Sequence, residues 1–113
     1  MPDVLPLPAS GPVVGVDVGG TKTQIVASGG GTDVNVVVPS PSWRRGSLFD
    51  DVANFDRLSD AVLSAVGTPP AVTVVGAHGV DNAGQRRRAK TLLGERLPGL
   101  VDVVNDALLL APA

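Results

Sequence analysis

At 113 residues the chain has room for one domain with a modest core, and 43% hydrophobic against 18% charged residues excludes an intrinsically disordered segment. A net charge of −2 leaves no electrostatic case for nucleic acid or an anionic membrane as partner, and the absence of cysteine excludes disulfides and thiolate metal sites. No apolar run approaches the roughly 18 residues of a membrane span, and Met1 to Pro12 lacks the basic-then-apolar order of a secretory signal, so a cytoplasmic protein is expected.

Pro2, Pro6, Pro8 and Pro12 predict a flexible, extended arm over residues 1–12. Val13 to Val18 is a β-branched run, Gly19-Gly20 a tight turn, and Thr23 to Ala27 a second extended stretch, which together spell a hairpin. Residues 29–33 predict a glycine-rich turn and 33–38 a third strand, stopped by Pro39 and Pro41. Ser47 with Asp50 three residues on makes a capping pattern, and Leu48, Val52, Phe55, Ser59, Val62 and Val66 recur at helical spacing. They predict one helix over 48–66, ended by Gly67 and Pro69-Pro70. Residues 71–76 form a buried strand. Asn82 caps a second helix with Ala89, Leu92, Leu93 and Leu97 inward, ended by Pro98-Gly99. Residues 100–105 give a fifth strand and 106–111 the start of a further helix. The order βββαβα is an antiparallel ribbon feeding parallel βαβ units, an α/β fold with a mixed sheet.

The Gly19-Gly20 pair can take positive φ and leaves the backbone bare, so that successive N–H groups can face one anion. Asp17 stands beside that turn, where a carboxylate suits a hydrated magnesium ion; Thr21 and Lys22 add a hydroxyl and a cation. The segment Gly15 to Gly20 has the glycine spacing of a Walker A loop, but Thr21 stands where its lysine belongs, and Thr23 to Val26 is strand-like where that loop would open a helix. The plainer alternative is a glycine-rich hairpin with a solvated Asp17 and Lys22. Asp106 follows the fifth strand, at the carboxyl end of the sheet where open α/β folds bind ligands; it is equally suited to cap the last helix. His78 sits in a glycine loop after the fourth strand, as a hydrogen-bonded structural residue or a site residue. Trp43, beside Ser42, either contributes to a ligand site or packs on the first helix. Arg86 to Arg88, with no aromatic residue among them, read as a solvated helix face.

Gly15-Val16-Asp17-Val18-Gly19-Gly20-Thr21-Lys22-Thr23 resembles the first phosphate motif of the ASKHA superfamily of sugar kinases, heat-shock chaperones and actin. Val75-Gly76-Ala77-His78-Gly79-Val80-Asp81 and Asn105-Asp106-Ala107 narrow the resemblance to the BadF/BadG/BcrA/BcrD ATPase group, which includes N-acetylglucosamine kinases, although that group more often has a small residue in place of His78. The resemblance runs from about Val13 to the end of the chain. It implies a ribonuclease H-like βββαβα subdomain over 13–113 and, as an expectation, only the first part of a longer protein whose second subdomain supplies the adenosine site. It further implies ATP and Mg2+ as cofactors, phosphate binding by Gly19, Gly20, Thr21 and Lys22, and magnesium at Asp17. Asp106 would be the catalytic base, and Ser42, Trp43, His78, Gly79, Asn105 and Asp106 would bind an amino sugar such as N-acetylglucosamine or glucosamine. Expected partners are the sugar, the nucleotide, the second subdomain and a second copy of the chain. The fragment alone is expected to be inactive. An activator ATPase of this group, a non-catalytic ASKHA module and a ROK-type glucokinase are the alternatives. Activators hold an iron–sulfur cluster on cysteines that are absent here, and the loop at His78 favours the BadF-type group over the ROK kinases.

Overall fold

A computed structural model describes residues 11–104. The chain forms β1 (Val13–Val18), β2 (Lys22–Gly29), β3 (Thr32–Pro39), α1 (Ala53–Val66), β4 (Val72–Ala77), α2 (Ala83–Gly94) and β5 (Leu100–Val104), with 3-10 turns at Ser40–Ser42 and Leu48–Asp50. The strands make one mixed sheet in the order β3-β2-β1-β4-β5. β1 pairs antiparallel with β2 and β2 with β3, whereas β1–β4 and β4–β5 are parallel. This is the α/β mixed sheet that the sequence pattern predicts. The expected arm falls outside the described residues up to position 10, as do Asn105, Asp106 and the helix expected over 106–111.

Strand alternation assigns the two faces of the sheet. Val14, Val16 and Val18 are fully buried and pair with Ala27, Ile25 and Thr23 of β2 and with Thr73, Val75 and Ala77 of β4. α1 lies against β2 and β3, α2 against β5, and the helices touch each other, so both cover this face. Phe55, Leu58 and Val62 of α1 and Ala89 and Leu93 of α2 close the core. At about 25 cal/mol per Å² of apolar area removed from water, such burial is the main force holding the layers together. The opposite face carries Val13, Gly15 and Asp17 of β1, and neither described helix lies on it. No helix among the described residues is long and apolar enough to cross a membrane.

The second hairpin turns on Gly30 and Gly31, at φ of 58° and 83°, the left-handed pair that a two-residue loop between twisted strands demands. β3 does not stop before Pro39: that residue still pairs with Lys22, at the end of the sheet's outer strand, where a missing N–H breaks no ladder.

The helix expected over 48–66 is divided. Ser47 does begin a turn at Leu48, its N–H donating to Asp50 Oδ2 at 2.9 Å, but Asp51 is extended, at φ −147° and ψ 120°. The α-helix starts afresh when Asp51 Oδ1 accepts from the Ala53 N–H at 3.0 Å. The cause is Asn54, fully buried, whose amide donates to the carbonyls of Arg45 and Ser47 and accepts from the Arg45 N–H. A continuous helix would use Asn54's neighbours for its own ladder; the buried amide instead organises the preceding loop. Leu48 remains in the core, so the apolar periodicity survives the break. At the other end Gly67, at φ 82°, caps α1 as expected, its N–H bonded to the Leu63 carbonyl. Asn82 caps α2 through Oδ1 to the Gln85 N–H at 2.8 Å.

Asn54→Ala should lower stability by about 1–3 kcal/mol, because it removes the buried amide that bonds the partly buried backbone groups of the 45–48 loop; urea denaturation of the variant beside the wild type measures it. A loss below a few tenths would mean that Asn54 does not hold the loop.

Candidate functional site

The turn between β1 and β2 closes when the Gly19 N–H donates to the Lys22 carbonyl at 2.8 Å. Contrary to the expectation of positive φ, neither Gly19 nor Gly20 adopts it. Space explains the pair instead. A Cβ on Gly19 would lie 3.0 Å from the Lys22 carbonyl oxygen, and one on Gly20 would project into room with no atom within 4 Å. The first glycine lets the turn close, and the second keeps its outer side bare.

Three successive carbonyls of this turn are taken by the segment after β3. The Ser40 hydroxyl donates to the Gly19 carbonyl at 2.8 Å, and the Ser40 N–H donates to that of Thr21 at 2.8 Å. Arg44 donates from Nη1 to the Gly19 carbonyl at 3.2 Å and from Nη2 to the Gly20 carbonyl at 2.8 Å. Among the described residues no peptide bond is cis. In a trans peptide the N–H points opposite its carbonyl, so the N–H groups of Gly20 and Thr21 are directed away from Arg44 and Ser40. Ser40 and Thr23 belong to the helix-covered side. The Gly20 N–H thereby points away from this brace.

That other face carries the charges. Asp17 pairs with Gln24 of β2 on one side and Gly76 of β4 on the other, and Lys22, one residue before inward Thr23, shares its side. The His78 N–H donates to the Val18 carbonyl at 2.7 Å, which ties the loop after β4 to the end of β1. Gly79 turns that loop at φ 96°, and the His78 side chain is exposed. The last described residue of β5, Val104, pairs with Gly76, itself beside Asp17. Asn105 and Asp106 come directly after it but lie outside the described residues. Asp17, the Gly19–Lys22 turn and the His78–Gly79 loop therefore lie at the carboxyl ends of parallel strands β1 and β4, the usual ligand side of an open α/β sheet. Among the described residues no three His, Cys, Asp or Glu side chains group together. A carboxylate such as Asp17 suits magnesium, which keeps several waters and uses one or two carboxylates.

Ser42 and Trp43 are not brought to this place. Trp43 is only 6% exposed, and its indole N–H donates to Thr23 Oγ1 at 3.0 Å. The Ser42 hydroxyl is turned back to the Pro39 carbonyl at 2.6 Å. Both line a groove of about 610 Å³ between β3 and α1, on the opposite side of the sheet from Asp17. Trp43 thus packs into the core on the helix-covered side.

Sequence reasoning passed over the braces Ser40, Arg44 and Thr23. One signal was present: Thr23 takes an inward strand position that Val usually fills, and an indole N–H buried nearby needs an acceptor. Proton counting sets the direction of this series of hydrogen bonds. Ser40's hydroxyl proton goes to Gly19, so Thr23, 2.8 Å away, must donate to Ser40, and Thr23 in turn accepts from Trp43.

Neither the protein-family models nor the curated proteins give a match to this chain.

Thr23→Val keeps the shape and removes the hydroxyl, which leaves the Trp43 N–H without its acceptor. It should cost about 1–3 kcal/mol in urea denaturation, whereas Thr23→Ser costs less. Equal stability of Thr23→Val and wild type would show that the chain of hydroxyls contributes nothing.

Proposed function

We propose that this chain is the phosphate-binding part of an ATP-dependent sugar kinase resembling the BadF-type N-acetylglucosamine kinases, with an amino sugar as acceptor. The observation that carries this is the turn itself: its Gly19 and Gly20 carbonyls are held by Ser40 and Arg44, which leaves the Gly20 and Thr21 amides pointing away from those groups, in a turn flanked by Asp17 and Lys22. Successive bare amides can form an anion site, and a carboxylate beside them suits the cation that accompanies a polyphosphate. The strand order β3-β2-β1-β4-β5 supports a ribonuclease H-like subdomain.

Within this reading Gly19 shapes the turn, and Gly20, Thr21 and Lys22 hold phosphate oxygens. Asp17 would hold magnesium, a cation that uses few protein carboxylates. Bound Mg2+ and ATP supply the transferable γ-phosphoryl group and neutralise its charge. Asp106 accepts the proton of the sugar hydroxyl as its oxygen forms the new bond to phosphorus; the bond to the β-phosphate bridging oxygen breaks, and ADP leaves. His78, Gly79 and Asn105 border the acceptor. Trp43, with Ser42 beside it, supports the loop from the helix side. A second subdomain supplies the adenosine contacts, and the protein works in the cytoplasm.

The test uses the full-length gene product with Mg-ATP and a panel of amino sugars, read by phosphorylated product. Asp106→Asn should lower kcat by about 10²–10⁴-fold while nucleotide affinity stays near wild type, since a general base acts on the proton and not on binding. Absence of product with every amino sugar would overturn the kinase, and retained nucleotide binding would then favour a non-catalytic module.

A further inference from the structure

We infer that Arg44 is a positioning residue for the phosphate turn, fixing the peptide planes whose N–H groups receive the anion; the functional part of this inference rests on the phosphate reading above.

Two adjacent glycines make the Gly19–Gly20 peptide the softest unit of the turn, because neither residue has a Cβ to resist rotation of the plane between them. Were that plane to flip, a carbonyl oxygen would face the incoming phosphate and repel it. Arg44 opposes the flip at two successive peptides with one rigid group, Nη1 on Gly19 and Nη2 on Gly20. A guanidinium suits this because its donors stand in a fixed fork. Its charge also lies at the carbonyl ends of these peptide dipoles, which polarises the same N–H groups as donors.

Arg44 is itself held in place. Its guanidinium carbon lies 6.0 Å from the centre of the Trp43 ring. The next residue, Arg45, is pinned through its N–H and its carbonyl to buried Asn54. The turn is thus braced from α1 through one continuous set of contacts. Ser40 shares the Gly19 carbonyl with Arg44, so only the Gly20 carbonyl depends on Arg44 alone.

The experiment compares wild type, Arg44→Ala, Arg44→Lys and Ser40→Ala in the full-length protein. Calorimetric titration with Mg-ADP and with adenosine is paired with ¹⁵N spectra of the Gly20 and Thr21 amides. Arg44→Ala should weaken Mg-ADP by about tenfold or more, the scale expected when preorganised donors become free to reorient, and should leave adenosine affinity unchanged. Arg44→Lys, with one donor group in place of a fork, should fall between. The Gly20 and Thr21 signals should broaden in Arg44→Ala, and less in Ser40→Ala. An equal loss for adenosine and Mg-ADP would overturn positioning in favour of a general effect on the fold. So would wild-type Mg-ADP affinity with sharp signals in Arg44→Ala. If the wild type itself fails to bind Mg-ADP, the phosphate reading falls. The amide spectra then still decide whether Arg44 holds the peptides.

Discussion

A single buried hydroxyl, Thr23 Oγ1, connects what would otherwise be separate parts of this molecule. It receives the Trp43 indole N–H and passes its own proton to Ser40, which passes its proton to the Gly19 carbonyl. Every donor in this series has one acceptor, and every link points the same way. Such chains strengthen each other in a low-dielectric interior, and for the same reason a gap in one is costly. The β1–β2 turn therefore does not rest on local glycine conformation. Its shape is imposed from the helix-covered side of the sheet, through a loop that α1 in turn holds by Asn54.

The sheet explains how one turn comes to have two dissimilar sides. Alternation sends Val14, Val16 and Val18 toward the helices and Asp17 away from them. One side of the turn is thereby braced, by buried Ser40 and half-buried Arg44, and Asp17 stands on the opposite face of the sheet. Trp43 falls on the helix-covered side, away from Asp17, which residue type alone did not reveal.

Much of this architecture was legible in the amino-acid order, because periodicity and punctuation are local signals. The valine runs, the Gly30–Gly31 turn, Gly67 after α1 and Asn82 before α2 each act within a few residues of their own position. The misread features depend on contacts distant in sequence. Asn54 looks like an ordinary helix position until its amide is seen to serve carbonyls seven and nine residues earlier. Gly19 and Gly20 look like positive-φ residues, but close approach and bare space are what the turn requires. Arg44 resembles any loop arginine, and its meaning comes from carbonyls more than twenty positions away. Asp106, which we propose as the general base, lies beyond the described residues, so its assignment rests on its position in the sequence after β5.

Trp43 is the only tryptophan in the chain, and its one polar atom is bonded into the hydrogen-bond series that ends at the turn. The protein therefore contains its own optical reporter. Indole emission responds to the polarity and hydrogen bonding around Nε1, and here those are set by Thr23 and the loop that grips Gly19. A change at the turn reaches the fluorophore through two hydroxyls, with no label attached and no second tryptophan to dilute the signal.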